Sequence, residues 1–118
     1  MRREFVPFDE DIIQRELDAL PGDDAAKLGI LIEHYETAGL GNPAPVRVDD
    51  YGDGLYRLRH IKPAYQGRLI FFAVDRIRGF ERLVILIVYK KESQKTPSNV
   101  IDTARRRKAD WERRRTKG

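Results

Sequence analysis

Arg82 to Val88 reads Arg-Leu-Val-Ile-Leu-Ile-Val, the strongest apolar run in the chain. It is rich in β-branched residues and of strand length, and it is far too short to span a bilayer. The chain must therefore fold around a buried strand. That strand emerges into Tyr89-Lys90-Lys91-Glu92-Ser93-Gln94-Lys95-Thr96-Pro97, where Thr96-Pro97 has the form of an N-cap followed by proline at the first helical position. From Lys90 onward there are 11 Lys/Arg against 4 Asp/Glu, a net of +7. A charge of this sign and density fits either a polyanion-binding surface or a solubilising basic tail.

The rest of the chain divides into recognisable elements. Arg3 to Pro7 can form a short strand, with Pro7 ending it or marking an edge. Asp9 is placed to cap a first helix, with Glu10 and Asp11 in its first turn and Ile13, Leu17 and Leu20 at helical spacing before Pro21-Gly22. Asp23 and Asp24 open a second helix in which Leu28, Leu31, Ile32 and Tyr35 recur on one side and Gly39 closes the turn. Gly41 to Asp53, with two prolines and several Gly and Asp, reads as a loop. Three strands follow, Leu55 to Ile61, Arg68 to Asp75 and Arg82 to Tyr89, with connections short enough for hairpins. A last helix runs from Pro97 to about Arg114, docking through Val100, Ile101, Ala104 and Trp111 while Lys108 lays its stem among them. The expected fold is α+β, one domain over residues 1–118: an N-terminal helical hairpin and a C-terminal helix packed on a small, mainly antiparallel sheet of three to four strands.

Composition narrows the chemistry. There is no cysteine and there are only two histidines, so neither a disulfide framework nor a zinc cage of thiolates or imidazoles is expected, and no cofactor is called for. The amino terminus carries charges on both sides of a very short apolar stretch, unlike a signal peptide or anchor. A soluble, cytoplasmic protein with no membrane partner is expected. Residues 1–54 carry 5 basic and 13 acidic side chains, a net of −8, whereas residues 55–118 carry 18 and 6, a net of +12. The basic half is the functional candidate.

Three motifs carry a family resemblance: Gly52-Asp53-Gly54-Leu55-Tyr56-Arg57-Leu58-Arg59, the lone Arg68 opening the next strand, and Lys90-Lys91 followed by Gln94-Lys95-Thr96-Pro97 and a helix containing Ala104-Arg105-Arg106-Arg107-Lys108. Their order and spacing along nearly the whole chain resemble the RelE/HigB superfamily of toxins from bacterial toxin–antitoxin modules, the phage-derived HigB-like branch in particular. The resemblance implies an endoribonuclease that cleaves messenger RNA, often in the ribosomal A site, by driving the ribose 2′-hydroxyl onto the adjacent phosphate. It also implies a helix-turn-helix antitoxin, messenger RNA and the ribosome as partners. Two other readings fit the same architecture: a ParE-type toxin that binds gyrase, and a non-catalytic RNA-binding relative.

The residue types suit phosphate chemistry without an obvious His/Glu pair. A phosphorane-like transition state gathers negative charge, which preorganised cations stabilise more than they stabilise the ground state. Arg59 and Arg68, as fork donors, and Lys90 and Lys91, as point charges, are the expected catalytic set. Arg57, Lys95, Arg105 and Arg106 are expected to hold RNA. Tyr89, His60 or a lysine crowded by other cations are the candidates for proton transfer. Strand parity places Arg57 and Arg59 together on one face, with Tyr56, Leu58 and His60 on the other. Carboxylates such as Asp75 or Glu81 are the alternative partners of Arg57.

Overall fold

The computed structural model describes residues 2–37, 45–91 and 97–117. The apolar run forms β5 (Phe80–Lys90), which pairs antiparallel with the equally long β4 (Gly67–Ile77) through a hairpin. β3 (Tyr56–His60) lies antiparallel to β4 on its other side, and β2 (Val46–Asp50) lies antiparallel to β3. β1 (Arg2–Pro7) returns parallel to β5, giving a sheet of order β1-β5-β4-β3-β2. The sheet thus has five strands of mixed direction where three to four were expected. The added strand, β2, falls within the stretch read as a loop. Val46 and Val48 alternate there with Arg47 and Asp49, and pairing with β3 buries Val46.

Helices α1 (Glu10–Asp18) and α2 (Asp24–Thr37) cover one face of the sheet. Asp9 caps α1 by accepting from the Ile12 amide at 3.1 Å, as its position implies. Ile13, Leu20, Leu28, Leu31 and Tyr35 pack on Leu58, Leu69, Phe71, Leu83, Ile85 and Val88. Gly67 makes this close: a Cβ there would stand 3.4 Å from the Asp24 carbonyl and from Leu20. The expected Gly39 cap of α2 and the Thr96 cap of the last helix lie outside the described residues.

Helix α3 (Ser98–Lys117) covers the opposite face. Val100 and Ala104 are buried against Ile70, Phe72, Val84, Leu86 and Ile87, and Trp111 meets Phe72 edge-on with ring centroids 5.8 Å apart. The Lys108 ammonium lies 5.3 Å from the Phe72 ring centre and donates to the Asp53 carbonyl at 2.8 Å. That carbonyl is available because Gly52, Asp53 and Gly54 all adopt positive φ in the β2–β3 turn, a conformation that two glycines make inexpensive. Among the described residues no helix is long and apolar enough to cross a membrane.

A β-bulge interrupts β5. Ile70 pairs with Ile87 and Phe71 with Ile85, so Leu86 is the extra residue. Leu86 and Ile87, neighbours in sequence, consequently both point to the α3 side. Val88 returns to the α1/α2 side.

Candidate functional site

On β3 the period-2 pleat turns Tyr56 and Leu58 into the α1/α2 core, where Tyr56 stacks on Phe71 at 5.6 Å. Arg57 and Arg59 face the other way, as parity predicts. Arg57 lies across from Ile70, and Arg68, two residues earlier on β4, shares that face. On β5, Tyr89 stands across from Arg68. Arg57, Arg59, Pro63, Arg68 and Lys91 line an open cavity of about 240 Å³ at this end of the sheet.

Its electrostatics are uneven. Asp49, on the strand that the sequence pattern concealed, contacts three arginines: Arg57 at 2.7 Å, Arg47 at 3.3 Å and Arg59 at 3.4 Å. Among the described residues Asp49, rather than Asp75 or Glu81, thus pairs with Arg57. Asp75 instead pairs with Arg82 and Arg115, and Glu81 with Arg76 and Arg3. Burial alone raises the Asp49 carboxyl, but the hydrogen bond and charge of Arg57, with Arg47 and Arg59, hold it below the usual carboxylate range. Burial likewise opposes the charge on Arg57, but the hydrogen bond to Asp49 and the charges of Tyr51, Tyr89 and Asp49 together outweigh it and raise the guanidinium.

Arg68 differs from its neighbours. It is 2% exposed, and its Nη1 donates to the carbonyls of Tyr65 and Gly67. Among the described residues no carboxylate lies within ion-pair distance of it. Burial, followed by the charges of Arg59 and Arg57, pushes its guanidinium down from the ordinary value. A buried cation held by carbonyls and faced by other cations is costly unless an anion joins it.

The two lysines separate. Lys91 lines the cavity and is half-buried, whereas Lys90 is exposed and stands across from Gly67, whose vacant Cβ position faces Leu20 and Asp24 on the α1/α2 side. Arg105 and Arg106 lie on the exposed side of α3, Arg105 reaching Asp53 at 3.5 Å. Lys95 is outside the described residues. His60 shares the Tyr56 face. It packs on Tyr65 at 4.4 Å and accepts from the Lys62 amide through Nδ1 at 2.9 Å. Burial and the charges of Lys62, Lys27 and Arg68 lower its pKa.

A family model described as phage-derived protein Gp49-like matches residues 15–109, from α1 into α3 and through every cavity residue. The chain belongs to the Gp49-like family. It is also 31% identical over 104 residues to a protein named probable endoribonuclease HigB1 in two strains of Mycobacterium tuberculosis, CDC 1551 / Oshkosh and ATCC 25618 / H37Rv. Each alignment covers 86% of this chain and 75% of the relative. The resemblance carried by the three motifs is therefore a relationship, distant in sequence, to RelE/HigB-type toxins. Within this Gp49-like chain, the Gly-Asp-Gly part of the first motif is the turn that docks Lys108, while its two arginines and Arg68 meet in the cavity.

Proposed function

We propose that this protein is the toxin of a toxin–antitoxin module and cuts messenger RNA on the ribosome, in the cytoplasm. The observation that carries this reading is the meeting of Arg57, Arg59, Arg68 and Lys91 in one open cavity, where Asp49 pairs with Arg57 and Arg59. An RNA phosphate supplies an anion to Arg68, which has no ion-pair partner among the described residues. The distant kinship with a probable endoribonuclease supports cleavage over simple binding.

In this reading the ribose 2′-oxygen attacks the adjacent phosphorus and the 5′-oxygen leaves. The 2′-hydroxyl proton is removed and the leaving oxygen is protonated. Arg59 and Arg68 bond the non-bridging oxygens as charge develops, and Lys91 adds a point charge. Arginine stays protonated throughout the range in which proteins fold, so these groups supply charge rather than proton transfer. Tyr89 and Lys91 are the candidates for proton transfer on this face, beside Asp49 and Tyr51, which flank Arg57. Arg57, tied to Asp49, orients the RNA backbone, with Lys90, Lys95, Arg105 and Arg106 holding more distant phosphates. The partner that silences the protein is a helix-turn-helix antitoxin whose acidic or amphipathic segment occupies the same cavity.

Induction without a partner, with mapping of RNA 5′ ends, tests the proposal. Growth arrest with new messenger RNA ends in step with the reading frame is expected. Arrest with intact messenger RNA and failing DNA supercoiling would replace it with gyrase binding. RNA binding without arrest or cleavage would make the protein a non-catalytic relative.

A further inference from the structure

β1 covers the outer edge of β5 only as far as Ile85, whose carbonyl accepts from the Phe8 amide at 2.9 Å. Beyond that point the edge is met by two side chains from opposite sides of the sheet. Arg107 of α3 donates to the Leu86 carbonyl at 2.9 Å, and Glu16 of α1 accepts from the Val88 amide at 2.9 Å. The two close on each other in an ion pair of 2.9 Å, each about one-fifth exposed. Together they present one acceptor and one donor to the edge, as a strand residue would. They do so across the bulge: the carbonyls of Ile85 and Leu86, consecutive residues, both find partners on the β1 side, which a regular pleat does not permit.

The bulge decides which lysine enters the cavity. Counting at period 2 from Ile85 on the α1/α2 face, an uninterrupted strand would put Ile87, Tyr89 and Lys91 on that face and send Lys90 to the cavity side. The extra residue reverses this. Tyr89 joins the α3-side cluster and Lys91 lines the cavity.

We propose that Glu16 and Arg107 are positioning residues that hold this bulge and thereby select Lys91, not Lys90, for the cationic cavity. The significance for catalysis rests on the RNA reading above, but the selection itself is testable without RNA. The experiment is amine-selective labelling of the folded protein, with Lys90 and Lys91 resolved by fragment mass spectrometry. In the native protein exposed Lys90 is expected to label severalfold faster than half-buried Lys91. Glu16→Leu removes the acceptor for Val88 and should bring the two rates together or invert them, whereas Glu16→Gln, which keeps an acceptor in place, should retain the native order. Arg107→Leu, which removes the donor to the Leu86 carbonyl together with the ion pair to Glu16 but leaves the Val88 acceptor in place, gives a second route to the same loss should Glu16→Leu fail to fold. A native labelling order in every folded variant overturns the inference. In RNA cleavage, Lys91→Ala should lose far more activity than Lys90→Ala. If neither change affects RNA while the labelling order still depends on Glu16, the RNA reading fails and the positioning role stands.

Discussion

The α3-facing side of β3 to β5 is one continuous surface with two unlike halves. In one half Ile70, Phe72, Val84 and Leu86, none more than 4% exposed, lie under Val100, Ala104 and Trp111. In the other, Arg57, Arg59, Arg68 and Lys91 surround open space. β4 contributes to both, Arg68 standing two residues from Ile70 on the same face. The apolar half stabilises itself through burial, at roughly 1.5–3 kcal/mol for each large side chain. The cationic half cannot. Its like charges are held together by the strands that the apolar half fixes, which is the arrangement expected where an anion completes a site.

The largest effect should come from breaking the apolar half. Leu86 is 0% exposed, so Leu86→Ala should cost about 2–5 kcal/mol in urea unfolding. Breaking the cationic half should act on reaction rather than on folding. Arg68→Ala should slow RNA cleavage by about 10²–10³-fold, the scale of one lost transition-state donor. It frees two carbonyls but relieves repulsion, so unfolding should show a loss near 1 kcal/mol or below. Equal losses of stability in the two variants would erase the distinction between the halves.

Asp49→Asn sharpens the comparison from the other direction. Removing the carboxylate that ties Arg57 and Arg59 should lower stability by about 1 kcal/mol, since the groups are partly exposed. It should also strengthen RNA binding at low salt. The Asp49 pKa is depressed in the folded protein, so its contribution is full above the ordinary value of 3.8 and is lost as pH falls through the lower folded value. Stability of the native protein should therefore fall more steeply with acid below that pH than stability of the Asp49→Asn variant, as followed by urea unfolding at each pH. Smaller again is the effect of salt. Each phosphate neutralised adds about −0.7 to the log–log slope for single-stranded nucleic acid, so Lys91→Ala should flatten RNA binding by about that amount. Arg106→Ala, on the exposed side of α3, should change stability by less than about 0.5 kcal/mol and weaken RNA binding least.

Much of the cationic half was legible in the order of residues alone. Arg57 and Arg59 at i and i+2 had to share a face, and an arginine opening the next strand had to lie near them once the hairpins formed. Asp49 was not legible, because Gly41, Pro43 and Pro45 made its surroundings read as a loop and obscured the Val46/Val48 alternation. The parallel return of β1 was equally hidden. Its partner stands 78 residues away, Arg2 beside Phe80, and no local pattern specifies a pairing at that distance.

What the sequence by itself determined is local: the buried strand of Leu83 to Val88, the Asp9 cap, the apolar stripes of the helices and the parity of β3. These follow from backbone geometry and side-chain spacing, which act over a few residues. Only the tertiary structure decided which lysine faces the cavity and which carboxylate answers the arginines. Lys90 and Lys91 are adjacent and chemically alike, so the choice between them depends on a one-residue bulge. That bulge is bonded by Glu16 and Arg107 from helices at opposite ends of the chain. Such a choice is made by packing, because only packing brings distant donors and acceptors to the same strand edge.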